Sequence, residues 1–177
     1  QVDAMLAAAK EVAAGKFDGE FPIDVFQTGS GTSSNMNANE VIARLASQAL
    51  RQPVHPNDDV NMAQSSNDVI PSCIQVAAVL ECSERLRPAL AHLRKTVERR
   101  ARELAKIAKT GRTHLMDAMP LRFDQELGAW ATQLGEVEAR LVDALKRTRQ
   151  LPIGGTAIGT GINAPKRFGG EVCKALK

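Results

Sequence analysis

Four polar clusters carry the side chains that could do chemistry in this chain: TGSGTSSNMN (28–37), SSND (65–68), RTH (112–114) and GTGIN (159–163). Each lies just before or between stretches of helical periodicity. A helix amino terminus offers unpaired backbone N–H groups and the positive end of the helix dipole, an arrangement suited to a carboxylate or a phosphate. His114, in GRTHLMDAMP, is the titratable member, with Thr113 beside it and Asp117 after it. A histidine placed this way is more often a hydrogen-bonded structural residue, and general acid–base work is the alternative.

In the first cluster Ser34 or Asn35 would cap the following helix, with Gly29 and Gly31 making the turn. That leaves Thr28, Ser30, Thr32 and Ser33 free for a ligand. In SSND, Asn67 or Asp68 would cap a helix whose first turn holds Pro71, leaving Ser65 and Ser66 as spare hydroxyl donors. Neutral donors of this kind bind a carboxylate while its charge changes during reaction. Neither glycine-rich stretch is a phosphate loop, because the lysine that must reach the phosphates is missing from both TGSGTSS and GGTAIGTG. His55 with Asp58 and Asp59 matches no tight metal spacing, and Asn-Asp tracts make turns, so no metal is expected.

The elements that must position these clusters are helices. Aromatic residues are only 3% of the 177, whereas 44% are hydrophobic, and Ala, Leu and Val abound, so the expected class is all-α. Residues 2–14 read as a helix closed by Gly15, 16–34 as loop, and 35–50 as a helix stopped by Pro53. A long polar connection, 52–71, marks a domain boundary. Leu86, Leu90, Leu93, Val97, Ala101, Leu104 and Ala108 form one stripe after Pro88, which should kink or restart the helix. Leu127, Trp130, Leu134, Val137, Leu141 and Leu145 form a second, with GRTHLMDAMP as the break between them. Such helices run about 30–40 Å at about 1.5 Å per residue, which implies a bundle shared between subunits. A last helix begins near Pro165.

Composition excludes several function classes. The 23 basic residues are nearly matched by 20 acidic ones, giving +3. The basic run Arg94–Lys109 lacks aromatics to stack bases, so it reads as a solvated, salt-bridged face and no nucleic-acid partner is expected. No apolar run approaches a membrane span, so no membrane partner is expected. Three cysteines without CxxC spacing suit a reducing compartment.

Taken in order, QTGSGTSSNMNANEVIA, HPNDDVN, QSSNDVIP, GRTHLMDA and GGTAIGTGIN resemble the class II, iron-independent fumarases of the fumarase/aspartase superfamily, over nearly the whole chain. Fumarases have Thr-His where His114 stands, and aspartases have Gln in place of that His. The resemblance implies the long-helix bundle fold, in part: 1–64 as the end of an amino-terminal domain and 65–177 as the first part of the central helical domain. It implies reversible hydration of fumarate to L-malate through an aci-carboxylate carbanion, by a homotetramer whose active sites each draw on three subunits, with no cofactor. Residue by residue, Ser30, Gly31 and Thr32 match the first substrate-binding segment, Ser65, Ser66 and Asn67 the second, Thr113 a further substrate ligand, and His114 the proton-transfer histidine. His55, Pro56, Asn57 and Asp58 match a secondary dicarboxylate site, where Gln52 replaces a frequent basic residue.

The family's carbon base is a serine in a GSSxMPxKxNP loop, and no such motif occurs here. The chain is therefore expected to be an internal piece of a subunit and inactive alone. A cytoplasmic location is expected, or the mitochondrial matrix in a eukaryote. Aspartate ammonia-lyase or a related lyase, and a non-catalytic helical oligomerisation scaffold, are the competing expectations.

Overall fold

The computed structural model describes residues 1–176, and they are predominantly helical with one small two-stranded sheet. Helix α1 spans Val2–Ala13 and α2 Thr32–Leu50, with a 3-10 turn at Asp18–Glu20 between them. A π-helical turn, Pro56–Val60, leads to α3 at Ser66–Glu81, and a second π turn, Cys82–Leu86, leads to α4 at Arg87–Glu103. Strands β1 (Ala108–Thr113) and β2 (Met116–Arg122) form an antiparallel hairpin, followed by α5 at Phe123–Thr148 and α6 at Phe168–Ala175.

The chain divides into two compact units: Gln1–Ile74 together with the segment from Leu151 onward, and Gln75–Gln150. In the first, α1 packs on α2 around Ala43, Ala46 and Val54, with Ala4, Met5, Leu50 and Val60 closing over them. Alanine on the contact face lets the two helices approach closely. Helix α2 ends where Arg51 turns left-handed (φ 53°), two residues before Pro53.

In the second unit α4 lies along α5. Arg87 reaches Glu138 at 3.4 Å, and the Arg94 guanidinium lies against Gly135. Ala101, Ala131 and Leu145 are buried. The basic run carries pairs one turn apart, Arg94–Glu98 and Arg99–Glu103, with Arg100 also on Glu103, as a solvated face should. Only part of each apolar stripe is covered. Leu86 at the end of the π turn, Leu93 on α4, and Trp130 and Val137 on α5 remain exposed. Pro88 enters α4 immediately after the π turn, whose wider pitch gives room at the place where proline's ring crowds the preceding turn.

Four expectations are corrected. Helix α4 ends at Glu103, so Leu104 and Ala108 of its expected stripe lie outside it, and Ala108 opens β1. Helix α2 starts at Thr32, not Asn35, so neither Ser34 nor Asn35 is its cap. Helix α3 starts at Ser66, which places Pro71 inside the helix and not in its first turn. The GRTHLMDAMP break is a β-hairpin, not an irregular connection. No helix of the described residues is long and apolar enough to cross a membrane.

Candidate functional site

The first unit holds three of the four polar clusters, TGSGTSSNMN, SSND and GTGIN. Gly31 occupies the cap position of α2 in left-handed backbone (φ 66°), and a Cβ there would lie 2.8 Å from Ile70 Cγ2. Glycine is thus required twice, by conformation and by the seat of α2 on α3. Ahead of it, Thr28, Ser30 and Thr32 form a chain of hydroxyls, with Oγ1···Oγ at 3.1 Å and Oγ···Oγ1 at 3.2 Å, all exposed. Ser34 is clasped by the Gln27 amide, which donates to its Oγ at 3.0 Å.

Ser65 caps α3. Its Oγ accepts from Asn67 N–H (3.2 Å), and Asp68 Oδ1 accepts from Ser65 N–H (3.0 Å), a reciprocal box of the S-x-x-D kind. The cap expected at Asn67 or Asp68 therefore lies at Ser65, because Asp68 folds back instead of leading. Ser66 Oγ accepts from Asn35 Nδ2 at 3.0 Å, and Asn39 Nδ2 donates to Asn61 Oδ1 at 3.1 Å. This amide network is buried on α2 and ties the α2 start to the α3 start. The sequence reading passed over it. Asn35 and Asn39 are one turn apart, in phase with Ala43 and Ala46, and that spacing was the signal.

Across from the α3 start sits the glycine-rich loop. Asp68 Oδ2 accepts from Gly154 N–H (3.0 Å) and Thr156 N–H (2.8 Å), and Asn67 Nδ2 donates to the Ala157 carbonyl at 2.8 Å. Gly154, Thr156, Gly159, Gly161 and Asn163 all take positive φ. A cavity of about 300 Å³ is lined by Ser65, Ser66, Gln64, Thr156, Ala157 and Asn163, among others. So Ser30, Gly31, Thr32, Ser65, Ser66, Asn67 and the glycine-rich loop belong to one unit, with the two helix starts tied by Asn35–Ser66 and by the seat of Gly31 on Ile70. Its donors are backbone amides, hydroxyls and carboxamides. That set suits a carboxylate whose charge grows during reaction.

His55 stands just before the π turn, in which Pro56, Asn57 and Asp58 lie. Its Nδ1 accepts from Asp58 N–H (3.1 Å), while Asp59 Oδ2 accepts from His55 N–H (2.8 Å). Asp58 Oδ2 also lies 3.3 Å from Nδ1.

Thr113 and His114 belong to the second unit. They stand at the end of β1, where His114 (φ 51°) and Leu115 (φ 62°) make a two-residue turn with both φ positive. That is the type I′ signature of tight hairpins, normally built with Asn-Gly. Arg112 Nε and Asp117 Oδ1 pair across the strands at 3.2 Å. Between Thr110 and Arg112 the register slips by one residue, and Gly111 faces the bulge with no room for a Cβ beside the Met119 carbonyl. At the hairpin base, Lys109 Nζ meets Glu126 Oε2 at 2.5 Å and lies 5.5 Å from the centre of the Phe123 ring. The base is held and the tip, with His114, projects into solvent.

Residues 1–177 match the family model described as "Lyase". A fumarate hydratase class II of Xylella fastidiosa (strain 9a5c) is 62% identical over 170 residues, covering 96% of this chain and 36% of that protein. Recombinant class II fumarase from Schistosoma mansoni superimposes with a TM-score of 0.92 at 39% identity, covering 98% of this chain and 38% of the other. Fumarate lyase:delta crystallin from Brucella melitensis bound to cobalt gives 0.88 at 43% identity, covering 98% and 39%. The chain spans well under half the length of these relatives.

Proposed function

The chain belongs to the lyase family and carries part of its long-helix fold, and from that premise we propose that it is part of a class II fumarate hydratase, which interconverts fumarate and L-malate. The observation that carries this reading is the pairing of two hydroxyl-rich helix starts in one unit, Ser30–Thr32 on α2 and Ser65–Asn67 on α3, bridged by Asn35 and Ser66. Removing a proton beside a carboxylate places a second negative charge on that carboxylate. Fixed N–H and O–H donors stabilise this aci-carboxylate more than the substrate, which is what lowers the barrier.

In this scheme Ser30, Gly31, Thr32, Ser65, Ser66 and Asn67 hold the dicarboxylate, and Thr113 adds a contact. His114 delivers the proton that lets the neighbouring hydroxyl leave as water. His55, Pro56, Asn57 and Asp58 are a secondary dicarboxylate site. Residues 1–64 close an amino-terminal domain and 65–177 open the central helical domain. The exposed edges of α4 and α5 then enter a four-subunit bundle, in the cytoplasm or the mitochondrial matrix. A carbon base would come from a loop that the 177 residues do not contain, so the chain alone is inactive.

The test is direct. The protein prepared at the length of its relatives and given L-malate should release fumarate, followed by ultraviolet absorbance. A well-folded protein without turnover overturns the assignment, and turnover by the 177-residue chain alone overturns the proposed inactivity.

A further inference from the structure

We propose that Asp68 is a positioning residue for the substrate segment Ser65–Asn67, which it locks to the glycine-rich loop at Gly154–Thr156. The inference rests on the fumarate hydratase reading above. Asp68 is 2% exposed and is the one large side chain wholly buried among the described residues. Burying a carboxylate is costly unless its oxygens are fully served, and here three backbone N–H groups serve them: Ser65 on Oδ1, and Gly154 and Thr156 on Oδ2. Capping α3 uses only the first. The second oxygen reaches residues 86 and 88 positions along the chain. A solvent-exposed serine cap would serve the helix equally well, so helix capping does not explain why the carboxylate is buried.

The far side of the lock carries its own costs. Thr156 is buried in left-handed backbone (φ 57°), and its hydroxyl has no partner. A non-glycine residue persists there only where its surroundings hold it, and the N–H it gives to Asp68 is such a hold. One residue on, the Ala157 carbonyl accepts from Asn67 Nδ2 and so orients a proposed substrate ligand. Ser65 and Ser66 line the same cavity as Thr156 and Ala157. Asp68 thus sets where three proposed donors stand relative to that cavity, and a misplacement of about 1 Å in such a segment is enough to weaken a site strongly.

Two variants separate positioning from plain support. Asp68→Asn keeps the shape but turns an acceptor into a donor. Ser72→Ala removes the bond that Ser72 Oγ gives to the Asp68 carbonyl at 2.6 Å, equally buried and on the same helix, and leaves the lock intact. In the 177-residue chain, Asp68→Asn should speed amide exchange at Gly154 and Thr156 by about tenfold or more, the loss expected when charge-assisted bonds are removed. Ser72→Ala should leave those two amides alone. In the protein prepared at the length of its relatives, Asp68→Asn should lower kcat/KM for L-malate by about tenfold or more, most of it in kcat, because the donors it misplaces are those that stabilise the doubly charged intermediate more than the substrate. Ser72→Ala should lower the melting temperature with kcat/KM unchanged.

Should Asp68→Asn fail to fold, Asp68→Glu carries the test: it keeps the charge but moves the carboxylate by one methylene, so the amides of Gly154 and Thr156 should lose protection and kcat/KM should fall. An unchanged kcat/KM in the folded variants, or an equal fall in Ser72→Ala, overturns the proposal alone. A full-length protein that hydrates no fumarate removes the reading and the proposal with it.

Discussion

Gly31 and Leu115 both sit in left-handed backbone, at φ 66° and 62°, yet they are built in opposite ways. Gly31 is wedged against Ile70, where a side chain could not fit, and it seats a helix start whose neighbours are tied by buried amides. Leu115 stands fully in solvent (102% exposed), beside a His114 with no hydrogen-bonded partner to fix its ring. The proposed binding segments are preorganised by this chain's own contacts. The proposed proton-handling residue stands on an exposed hairpin turn. Under the function proposed above, with a site drawn from several subunits, rigid donors would come ready-made from one chain and the tip would acquire its final environment on assembly.

The largest effect should come from the tip. His114→Asn in the full-length enzyme should reduce kcat by about 10²–10⁴-fold, the usual worth of a positioned acid or base. Stability of the 177-residue chain should not change, since the side chain is exposed and makes no hydrogen bond among the described residues. A denaturation midpoint that moves with this substitution would break the contrast between held and unheld groups. Next comes Gly31→Ala, which meets both the left-handed backbone and Ile70. A loss of about 1–3 kcal/mol is expected from strain of this kind, read from urea unfolding of the chain. An unchanged midpoint would mean that α2 and α3 are not seated as described.

How much of this was legible depended on where the partners lie. The stripes of α4 and α5 are local patterns, and they gave the two helices and the break between them, although α4 begins after Leu86 and ends before Leu104 and Ala108. The α3 cap was legible as Ser65-x-x-Asp68 but was placed two residues late, because Pro71 suggested a first turn. The hairpin escaped because its turn residues, His114 and Leu115, are not those that favour positive φ, and Pro120 within β2 argues against a strand. The second oxygen of Asp68 could not be read at all. Its donors lie more than eighty residues away, beyond any periodicity.

A smaller effect sharpens the same contrast at the turn. Leu115→Gly supplies the residue that a type I′ turn favours and should stabilise the hairpin by up to about 1 kcal/mol. Amide exchange at Thr113 and Met116 is the readout, and faster exchange there would show that Leu115 has a packing role the isolated tip conceals.

The smallest effect concerns the hairpin base. Arg122 and Asp124 share a two-point pair at 2.9 and 3.0 Å where β2 passes into α5. Hydrogen bonds from the Arg122 guanidinium hold the Asp124 carboxyl below its ordinary range, and Arg99, with Arg100, does the same for Glu103 at the end of α4. A carboxyl whose pKa is lowered on folding contributes stability that is fully present above its unfolded value, about 4. That contribution is lost as the pH falls through the lower folded value. Acid should therefore loosen the start of α5, and Asp124→Asn should flatten this part of the pH profile. Glu103 is exposed and Asp124 partly so, and added salt should shrink the effect. An acid profile at the α5 start that is the same with and without Asp124 would place the hairpin's hold elsewhere, on Lys109 and Glu126.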